Sequence, residues 1–175
     1  EQNYKARLQA PMWPGGLSGI TIGLGYDVGT KNTEQLRKDL SGILSPADIA
    51  RLEPACLNLG IICKRLLPIP VKVSWEQALK LFYNTSLKQY ARQAASVYDE
   101  LETLHPYEQT AIVGLVYNRG ANTKVKPGDD RRREMNLLIQ AIKLDDDKLM
   151  ASIIRQMKRL WDENKQGGLI RRRAP

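Results

Sequence analysis

A short segment near the start of the chain, residues 20–28, most constrains the fold. Its sequence, ITIGLGYDV, places β-branched and aromatic residues around two glycines, which is typical of a tight β-hairpin. If residues 23–25 form the turn, Thr21 lies directly opposite Asp27 on one face. The apolar side chains then share the other face, namely Ile20, Ile22, Tyr26 and Val28.

From Thr33 onward the pattern is helical. Helix starts are predicted by a cap at Thr33, by Ser45 followed by Pro46, and by a capping box that begins at Ser74. The helix that follows Ser74 is expected to continue beyond a break near Asn84. These segments predict a chain whose remaining structure is helical.

Three further helices are expected in the second half of the chain. The first begins near Pro106, with His105 as a boundary or capping residue, and ends at Gly120, which suits a left-handed cap. Two more helices follow, and the second begins at the acidic residues 145–147. The apolar positions expected in the core are Ala111, Ile112, Leu115 and Val116, then Met135, Leu138, Ile139 and Ile142, then Leu149, Ile153, Met157 and Leu160. The predicted fold class is α+β and predominantly helical.

Composition excludes several classes of protein. The 175 residues are 42% hydrophobic and 26% charged, which provides for a substantial core and argues against a disordered, collagenous or disulfide-scaffold chain. No apolar run approaches the length of a membrane span, and no signal peptide opens the chain. We therefore expect no membrane insertion, and export by a route that this sequence does not encode.

The chain is basic. Lys and Arg outnumber Asp and Glu by 27 to 19, for a formal charge of +8, which favours a polyanionic partner such as nucleic acid, anionic lipid or the bacterial wall. Two arginine runs, at residues 131–133 and 171–173, are interpreted as a solvated helix face or a loose tail in preference to a dedicated polyanion site. A nucleic-acid partner is not expected, because the basic residues lack interleaved aromatics and a recognised motif.

Histidine and cysteine are too few for a familiar zinc enzyme. A catalytic zinc draws its ligands largely from these residues, so His105, Cys56 and Cys63 would have to converge without any recognisable spacing. The two cysteines lie in an apolar stretch, where buried inert thiols are the commoner outcome. We expect no metal and no cofactor.

The hairpin is the candidate site. Glycines at 23, 25 and 29 miss the dinucleotide spacing by one, and no Gly-Lys-Ser/Thr follows, so a phosphate cradle is disfavoured. Directly opposite side chains in a two-stranded ribbon have Cβ atoms about 4.5–5.5 Å apart, so Thr21 and Asp27 can hold one water between them. The glycines would leave room on that face for a bulky ligand. From the spacing alone, Thr21 and Asp27 are equally well explained as ordinary polar residues of a strand and a turn.

Three stretches carry a resemblance to a known family. WPGGLSGITIGLGYDVG, HPYEQTAIVGLVYNRG and MKRLWDENKQGGLIRRR resemble, in order and spacing, the phage-type lysozyme superfamily, in particular its branch of pesticin-like toxins and secretion-effector muramidases. The resemblance implies a lysozyme-like, two-lobed fold in a single catalytic domain spanning 1–175. A small hairpin-bearing lobe would cover 1–45 and a helical part 46–175, with the substrate cleft between them. The chain is expected to be a fragment of a larger protein.

The implied activity is hydrolysis of the bond between N-acetylmuramic acid and N-acetylglucosamine in peptidoglycan, without a cofactor. Family enzymes use a Glu at the end of the first helix as general acid, and a Thr and an Asp on the hairpin to position water. Thr21 and Asp27 match that pattern. Glu1 is the single acid upstream of the hairpin, so either Glu1 is the general acid or the acid lies before this chain. Water-mediated displacement predicts inversion, with the carboxyl groups about 6.5–9.5 Å apart.

The resemblance also implies substrate contacts and partners. Trp13, in the glycine-rich loop, and Tyr26 are candidate sugar-binding residues. Asn118 and Arg119 would bind sugar N-acetyl or hydroxyl groups, or else have a structural role at the helix end. Expected partners are peptidoglycan glycan strands and an immunity or inhibitor protein, and the expected site of action is the bacterial periplasm or cell wall after delivery or secretion. An endolysin, a bacteriocin and an effector remain alternatives, and a non-catalytic glycan-binding module is the competing function.

Overall fold

The computed structural model describes residues 2, 4 and 8–160, which are mostly helical with one small antiparallel sheet. The predicted α+β, predominantly helical class is therefore confirmed. Two compact units divide the chain, Glu1–Gln89 and Tyr90–Pro175, and each has its own hydrophobic core. Among the described helices, none has the length and apolar character needed to cross a membrane.

The first unit consists of a hairpin followed by short helices. Its elements are β1 (Thr21–Ile22), β2 (Tyr26–Asp27), α1 (Thr33–Leu40), α2 (Pro46–Leu52) and α3 (Trp75–Leu81), with 3-10 turns at Val28–Thr30, Glu53–Ala55 and Gly60–Leu66. A π-helical turn, Phe82–Ser86, connects α3 to α4 (Leu87–Ala95). Instead of breaking near Asn84, the helix widens there and continues to Ala95.

Side-chain caps explain where these helices begin. Ser45 Oγ accepts from Asp48 N at 3.1 Å, and Ser74 forms the predicted capping box with Gln77. At α1 the prediction is wrong by one residue, because Asn32 Oδ1 accepts from Gln35 N at 2.8 Å and Thr33 is already helical. Asn32 lies one position before the predicted cap, and Asn is a stronger N-cap residue than Thr.

The core of the first unit joins the hairpin to segments well beyond residue 45. The buried hairpin residues Ile20, Ile22 and Val28 belong to the same apolar cluster as side chains contributed by later segments. Those later residues are Leu36, Leu40, Ile49, Leu52, Val71, Val73 and Leu81. The N-terminal segment is also attached to the later part, since Tyr4 Oη donates to the carbonyl oxygen of Val73 at 2.8 Å. A two-stranded ribbon has too little apolar surface to be stable alone, and these segments cover it.

The second unit is a set of helices joined by ordered loops. It contains a 3-10 turn at Leu101–Thr103, α5 (Pro106–Arg119), α6 (Arg133–Lys143), α7 (Asp147–Gln156) and a final 3-10 turn at Met157–Leu160. His105 is the N-cap of α5, as predicted, and its Nδ1 accepts from Tyr107 N at 3.3 Å. Gly120 follows α5 with φ of +73°, which a glycine adopts without strain.

Most predicted core positions of the second unit are buried. Met135, Leu138 and Ile142 on α6 are at most 2% exposed. Ala111 is exposed, however, and on α7 Leu149 is 39% exposed, while Met150 is buried along with the predicted Ile153. The apolar stripe that starts at Met150 continues through Ile153 and Met157, one position later at its start than predicted.

Candidate functional site

The hairpin turn is built by two glycines with positive φ. Gly23 has φ of +57° and Gly25 has φ of +85°, a backbone region that favours glycine. A Cβ on Gly23 would lie 3.4 Å from the Cβ of Ala78, so the turn packs against α3. The three-residue turn therefore has a fixed position in the first unit.

The turn sets the register that the sequence predicts. Thr21 pairs with Asp27 and Ile22 pairs with Tyr26 in antiparallel β1 and β2. On its other side Thr21 forms a bridge with Met12, with Thr21 N donating to Met12 O at 2.7 Å and Met12 N donating to Thr21 O at 3.0 Å. Thr21 is thus held between two backbone segments.

The Asp27 carboxylate is held in one orientation by the backbone. Its Oδ2 accepts from Gly19 N at 3.1 Å, and its Oδ1 accepts from Gly29 N at 2.9 Å. The second bond also caps the 3-10 turn Val28–Thr30. Hydrogen bonds from two backbone N–H groups fix both the position and the plane of this half-buried carboxylate.

Gly19 and Gly29 allow this arrangement because neither has a side chain. A Cβ on Gly19 would lie 2.4 Å from Asp27 Oδ1, and a Cβ on Gly29 would lie 2.2 Å from the carbonyl oxygen of Asn58. The expectation that Gly29 leaves room for a bulky ligand is therefore wrong. The space beside Gly29 is filled by backbone, and the close approach positions the carboxylate.

The Thr21 hydroxyl is half-buried on the same face as Asp27. Thr21 Oγ1 donates to Gly19 O at 3.4 Å, a long hydrogen bond, and no residue in the described part of the chain donates to this oxygen. The pair therefore combines a fixed carboxylate with a hydroxyl whose one hydrogen bond within the protein is long and weak. Two such acceptors on adjacent strands are the groups needed to orient a water molecule.

Trp13 lies beside the hairpin, but much of its ring is already in contact with protein. Its Nε1 donates to Ser18 O at 2.9 Å, and Lys64 Nζ lies 5.4 Å from the ring centroid. The residue is half-buried against the core of the first unit. The sugar contact assigned to Trp13 stays a prediction.

Tyr26 is placed where a substrate cannot reach its ring. It is 3% exposed, and its hydroxyl donates to Asp39 Oδ2 at 2.8 Å. Burial, together with the Asp39 hydrogen bond and charge, raises the pKa of Tyr26 well above its usual range. The assignment of Tyr26 to substrate binding is corrected to a role in the core. The alternation of the strand, which places Tyr26 on the apolar face, was the better signal.

The proposed general acid, Glu1, lies outside the described residues, as do Trp161 and the arginine run 171–173.

In the second unit, Asn118 and Arg119 meet at the end of α5. Asn118 Nδ2 donates to Gly114 O at 2.6 Å, the local bond of a helix-end residue. Arg119 Nη2 donates to the carbonyl oxygen of Arg131, and Arg132 Nη1 donates to that of Arg119. Both residues line a pocket of about 380 Å³.

The pocket also contains part of the first arginine run. Arg131 and Arg132 line it with Arg119, Lys124 and Lys126. The Arg131 side chain is 77% exposed, so the preference for a solvated face over a dedicated polyanion site stays a prediction. The signal available in the sequence was KVKPGDDRRR, in which a Pro-Gly turn can fold the lysines back toward the arginines.

The two cysteines are free thiols rather than a disulfide. Cys63 is buried, as expected, and its Sγ lies 3.3 Å from Asn58 O. Burial and the charge of Glu53 raise the pKa of the half-buried Cys56 thiol. A raised pKa reduces the thiolate fraction, so Cys56 has the character of a structural thiol.

Three carboxylates cluster in the second unit, on Glu108, Asp145 and Asp147. Their oxygens lie within 4.8 Å of one another. A hydrogen bond with Asp147 is the main cause that raises the pKa of Glu108, and partial burial adds to it. The cluster has the ligand type that Ca²⁺ prefers, but Asp145 and Asp147 are exposed and Glu108 already accepts from His105 N.

The sequence matches no known family model and no curated protein sequence. The lysozyme resemblance therefore stays a prediction that rests on the three motifs. The described residues themselves provide a fixed carboxylate beside a hydroxyl in the first unit and a strongly basic pocket in the second.

Proposed function

We propose that this chain is a peptidoglycan hydrolase that cleaves the glycosidic bond between N-acetylmuramic acid and N-acetylglucosamine. The observation that carries the proposal is the direct cross-strand pairing of Thr21 with Asp27, whose carboxylate is fixed by two backbone N–H groups. The motif resemblance supplies the substrate and the bond.

The proposed role of the pair is to aim a water molecule at the anomeric carbon. Asp27 accepts one proton of the water, and the Thr21 hydroxyl accepts or donates the second hydrogen bond, so that an oxygen lone pair faces the sugar. Holding the nucleophile in this way lowers the entropic cost of reaching the transition state. Because the carboxylate is oriented before substrate binds, little reorganisation is needed during the reaction.

A general acid must protonate the leaving-group oxygen while Asp27 activates the water. Glu1 or an acid that precedes this chain is proposed for that role. The water enters on the face opposite the leaving group, so the product has the inverted anomeric configuration. Asn118 and Arg119 remain proposed sugar contacts.

The proposed site of action is the bacterial periplasm or cell wall, with glycan strands as the substrate and an immunity or inhibitor protein as a further proposed partner. The formal charge of +8 is consistent with attraction to anionic wall polymers.

Non-catalytic glycan binding is the second candidate, and one observation favours it. Both Asp27 oxygens already accept backbone hydrogen bonds, so the carboxylate has a complete structural role without any reaction. A wall-binding domain could retain the hairpin for that purpose alone.

Mass spectrometry of purified peptidoglycan incubated with the protein distinguishes the two functions. New reducing ends on muramic acid are expected for the muramidase, and their anomeric form at short times tests inversion. Reducing glucosamine or anhydro ends would indicate a different glycan cleavage, and cut stem peptides would contradict the proposal. Co-sedimentation with intact peptidoglycan and no cleavage would support the binding module.

A further inference from the structure

The pocket at the end of α5 has an unusually one-sided charge. Five cationic side chains line it, on Arg119, Lys124, Lys126, Arg131 and Arg132, against one carboxylate, Asp129. Like charges so close together repel each other in the absence of a counter-charge. The lining therefore creates a positive potential that an anion would relieve.

The single carboxylate is already neutralised. Asp129 accepts from Arg131 Nε and Nη2, both at 2.9 Å, and from the Arg131 backbone N–H at 3.1 Å. These bonds lower the pKa of Asp129 to about 2, and the nearby Lys126 contributes to the shift. Four lining cations remain against no further lining carboxylate.

Local backbone structure fixes the positions of the lining residues. Lys126 and Asp129 pair across a turn through Pro127 and Gly128, with Gly128 at φ of +77°, the signature of a type II turn. Asn122 Oδ1 accepts from Lys124 N at 2.9 Å and shapes the preceding loop. These loop contacts place Lys124 and Lys126 on the lining of the pocket. Their ammonium groups form no ion pair with any described carboxylate.

Two arginines are fixed more firmly. The guanidinium of Arg119 donates to the backbone of Arg131, and the guanidinium of Arg132 donates to the backbone of Arg119. Each is thereby ordered before any ligand binds, which reduces the entropic cost of binding. Their charges also act on the buried Tyr98. Burial raises the pKa of Tyr98, and the charges of the two arginines act in the opposite direction.

We propose that this pocket is a binding site for a phosphate-bearing ligand with two or more negative charges. A guanidinium has five N–H donors, so Arg119 and Arg132 can each donate to a phosphate oxygen in addition to their backbone bond, and the lysines add charge without fixed geometry. A volume of about 380 Å³ lies at the small end of the range for small-molecule sites, roughly 300–1,000 Å³, and so accommodates a diphosphate or a phosphorylated headgroup. This inference does not depend on the proposed glycan hydrolysis, and it gives Arg119 a phosphate in place of the proposed sugar contact.

Calorimetric titration with inorganic pyrophosphate tests the site, with acetate at equal ionic strength as the comparison anion. Pyrophosphate is expected to bind at least tenfold more tightly than acetate. The double variant Lys124→Gln/Lys126→Gln is expected to weaken pyrophosphate binding about tenfold. The matched control Lys143→Gln/Lys148→Gln removes the same charge from exposed positions outside the pocket, and is expected to change the affinity less than twofold. Equal weakening in both double variants, or no pyrophosphate binding at millimolar concentration, would overturn the proposal.

A second variant gives an effect in the opposite direction. Asp129→Asn removes the one negative lining group and releases Arg131, so pyrophosphate affinity is expected to rise about threefold. An unchanged or lower affinity in a folded Asp129→Asn protein would count against the site. Circular dichroism establishes that each variant is folded before its affinity is compared.

Vesicles of phosphatidylcholine with and without phosphatidic acid distinguish a lipid source of phosphate from a soluble one. Binding to phosphatidic acid that pyrophosphate displaces indicates that the pocket recognises a lipid phosphate. Pyrophosphate binding without vesicle binding indicates a soluble ligand, and both results support the proposal. Vesicle binding that resists pyrophosphate and persists in Lys124→Gln/Lys126→Gln would place anion binding elsewhere and contradict it, as would binding to duplex DNA that pyrophosphate does not displace.

Discussion

Gly19 and Gly29 approach so closely that a Cβ on Gly19 would lie 2.5 Å from the Cα of Gly29. The Asp27 carboxylate lies against this contact and accepts an N–H from each glycine. Two separate backbone segments are therefore joined through one side chain. The geometry of the proposed water-positioning pair depends on both glycines remaining without side chains.

Gly29→Ala is expected to destabilise the protein by about 3 kcal/mol, the upper part of the usual range for overpacking. The reason is that the new methyl group meets the carbonyl oxygen of Asn58 at 2.2 Å, and a backbone atom cannot move aside as a flexible side chain can. Urea denaturation measures the change. Gly114→Ala is the matched control, because nothing lies within 4 Å of its Cβ position in α5, and it is expected to stabilise by about 0.5–1 kcal/mol. A loss below 1 kcal/mol in Gly29→Ala would show that the backbone contact is not rigid.

Thr21→Val is expected to separate activity from stability. Valine preserves the branched shape favoured in a strand, and the lost hydroxyl made one long hydrogen bond to Gly19 O, so the stability cost should stay within about 1 kcal/mol. If Thr21 orients the water, the rate of muramic-acid end formation should fall about 100-fold. The two measurements are thermal melting and quantified end formation. A rate within twofold of the unmodified protein would remove Thr21 from the proposed mechanism.

Asp27→Asn is expected to reduce stability as well as activity. An amide has one acceptor oxygen, so its NH₂ group would face the N–H of either Gly19 or Gly29, and one donor would lose its partner. The expected cost is about 1–3 kcal/mol. Cleavage should therefore be compared with Gly29→Ala, which perturbs the same contact while keeping the carboxylate. Cleavage by Asp27→Asn equal to that by Gly29→Ala at matched folded fraction would remove the Asp27 carboxylate from the proposed mechanism.

The register of the hairpin could be predicted from sequence. Side chains of a strand alternate between its two faces, and the two glycines mark the turn, so few registers are possible for ITIGLGYDV. The orientation of Asp27 could not, because it depends on the backbone N–H groups of Gly19 and Gly29, which the alternation of the strands does not place. Tyr26 shows the opposite case. Tyr26 was a candidate sugar contact, but the same alternation that located Asp27 placed Tyr26 in the core.

The basic pocket was missed for a related reason. Arg131 and Arg132 are adjacent in sequence, and a run of like charge on its own usually indicates a solvated face. Arg119 joins them because the loop after α5 returns the chain to the helix end, as the bond from Arg132 Nη1 to the Arg119 carbonyl shows. The periodicity of apolar residues predicted most of the helices, but it does not show that a loop brings the chain back to the end of a helix.

Arg159→Met is expected to destabilise the protein by about 3 kcal/mol. The Glu134 side chain is 1% exposed, and Arg159 Nε donates to its Oε1 at 2.6 Å while Nη2 donates to Oε2 at 3.1 Å. Removing the guanidinium leaves a buried carboxylate without its main partner, which typically costs about 3–5 kcal/mol. The double variant Glu134→Met/Arg159→Met removes both charges and should be more stable than Arg159→Met alone. Urea denaturation of the unmodified protein, the two single variants Arg159→Met and Glu134→Met, and the double variant measures this, and additive losses would mean that the two side chains do not interact.

Glu108→Gln is expected to stabilise the protein at pH 7 by up to about 1 kcal/mol, the scale of one hydrogen bond. The hydrogen bond with Asp147, with burial and nearby charges, raises the pKa of Glu108 in the folded state. A raised carboxyl pKa means that the folded state binds the proton more tightly than the unfolded state. The associated stability is therefore present below the unfolded pKa and is lost as the pH rises through the folded pKa. Glutamine is neutral at every pH and can donate to Asp147 while its oxygen continues to accept from His105 N. The difference in unfolding free energy between the two proteins should therefore be larger at pH 7 than at pH 4, and a difference that does not change with pH would contradict the coupling between Glu108 and Asp147.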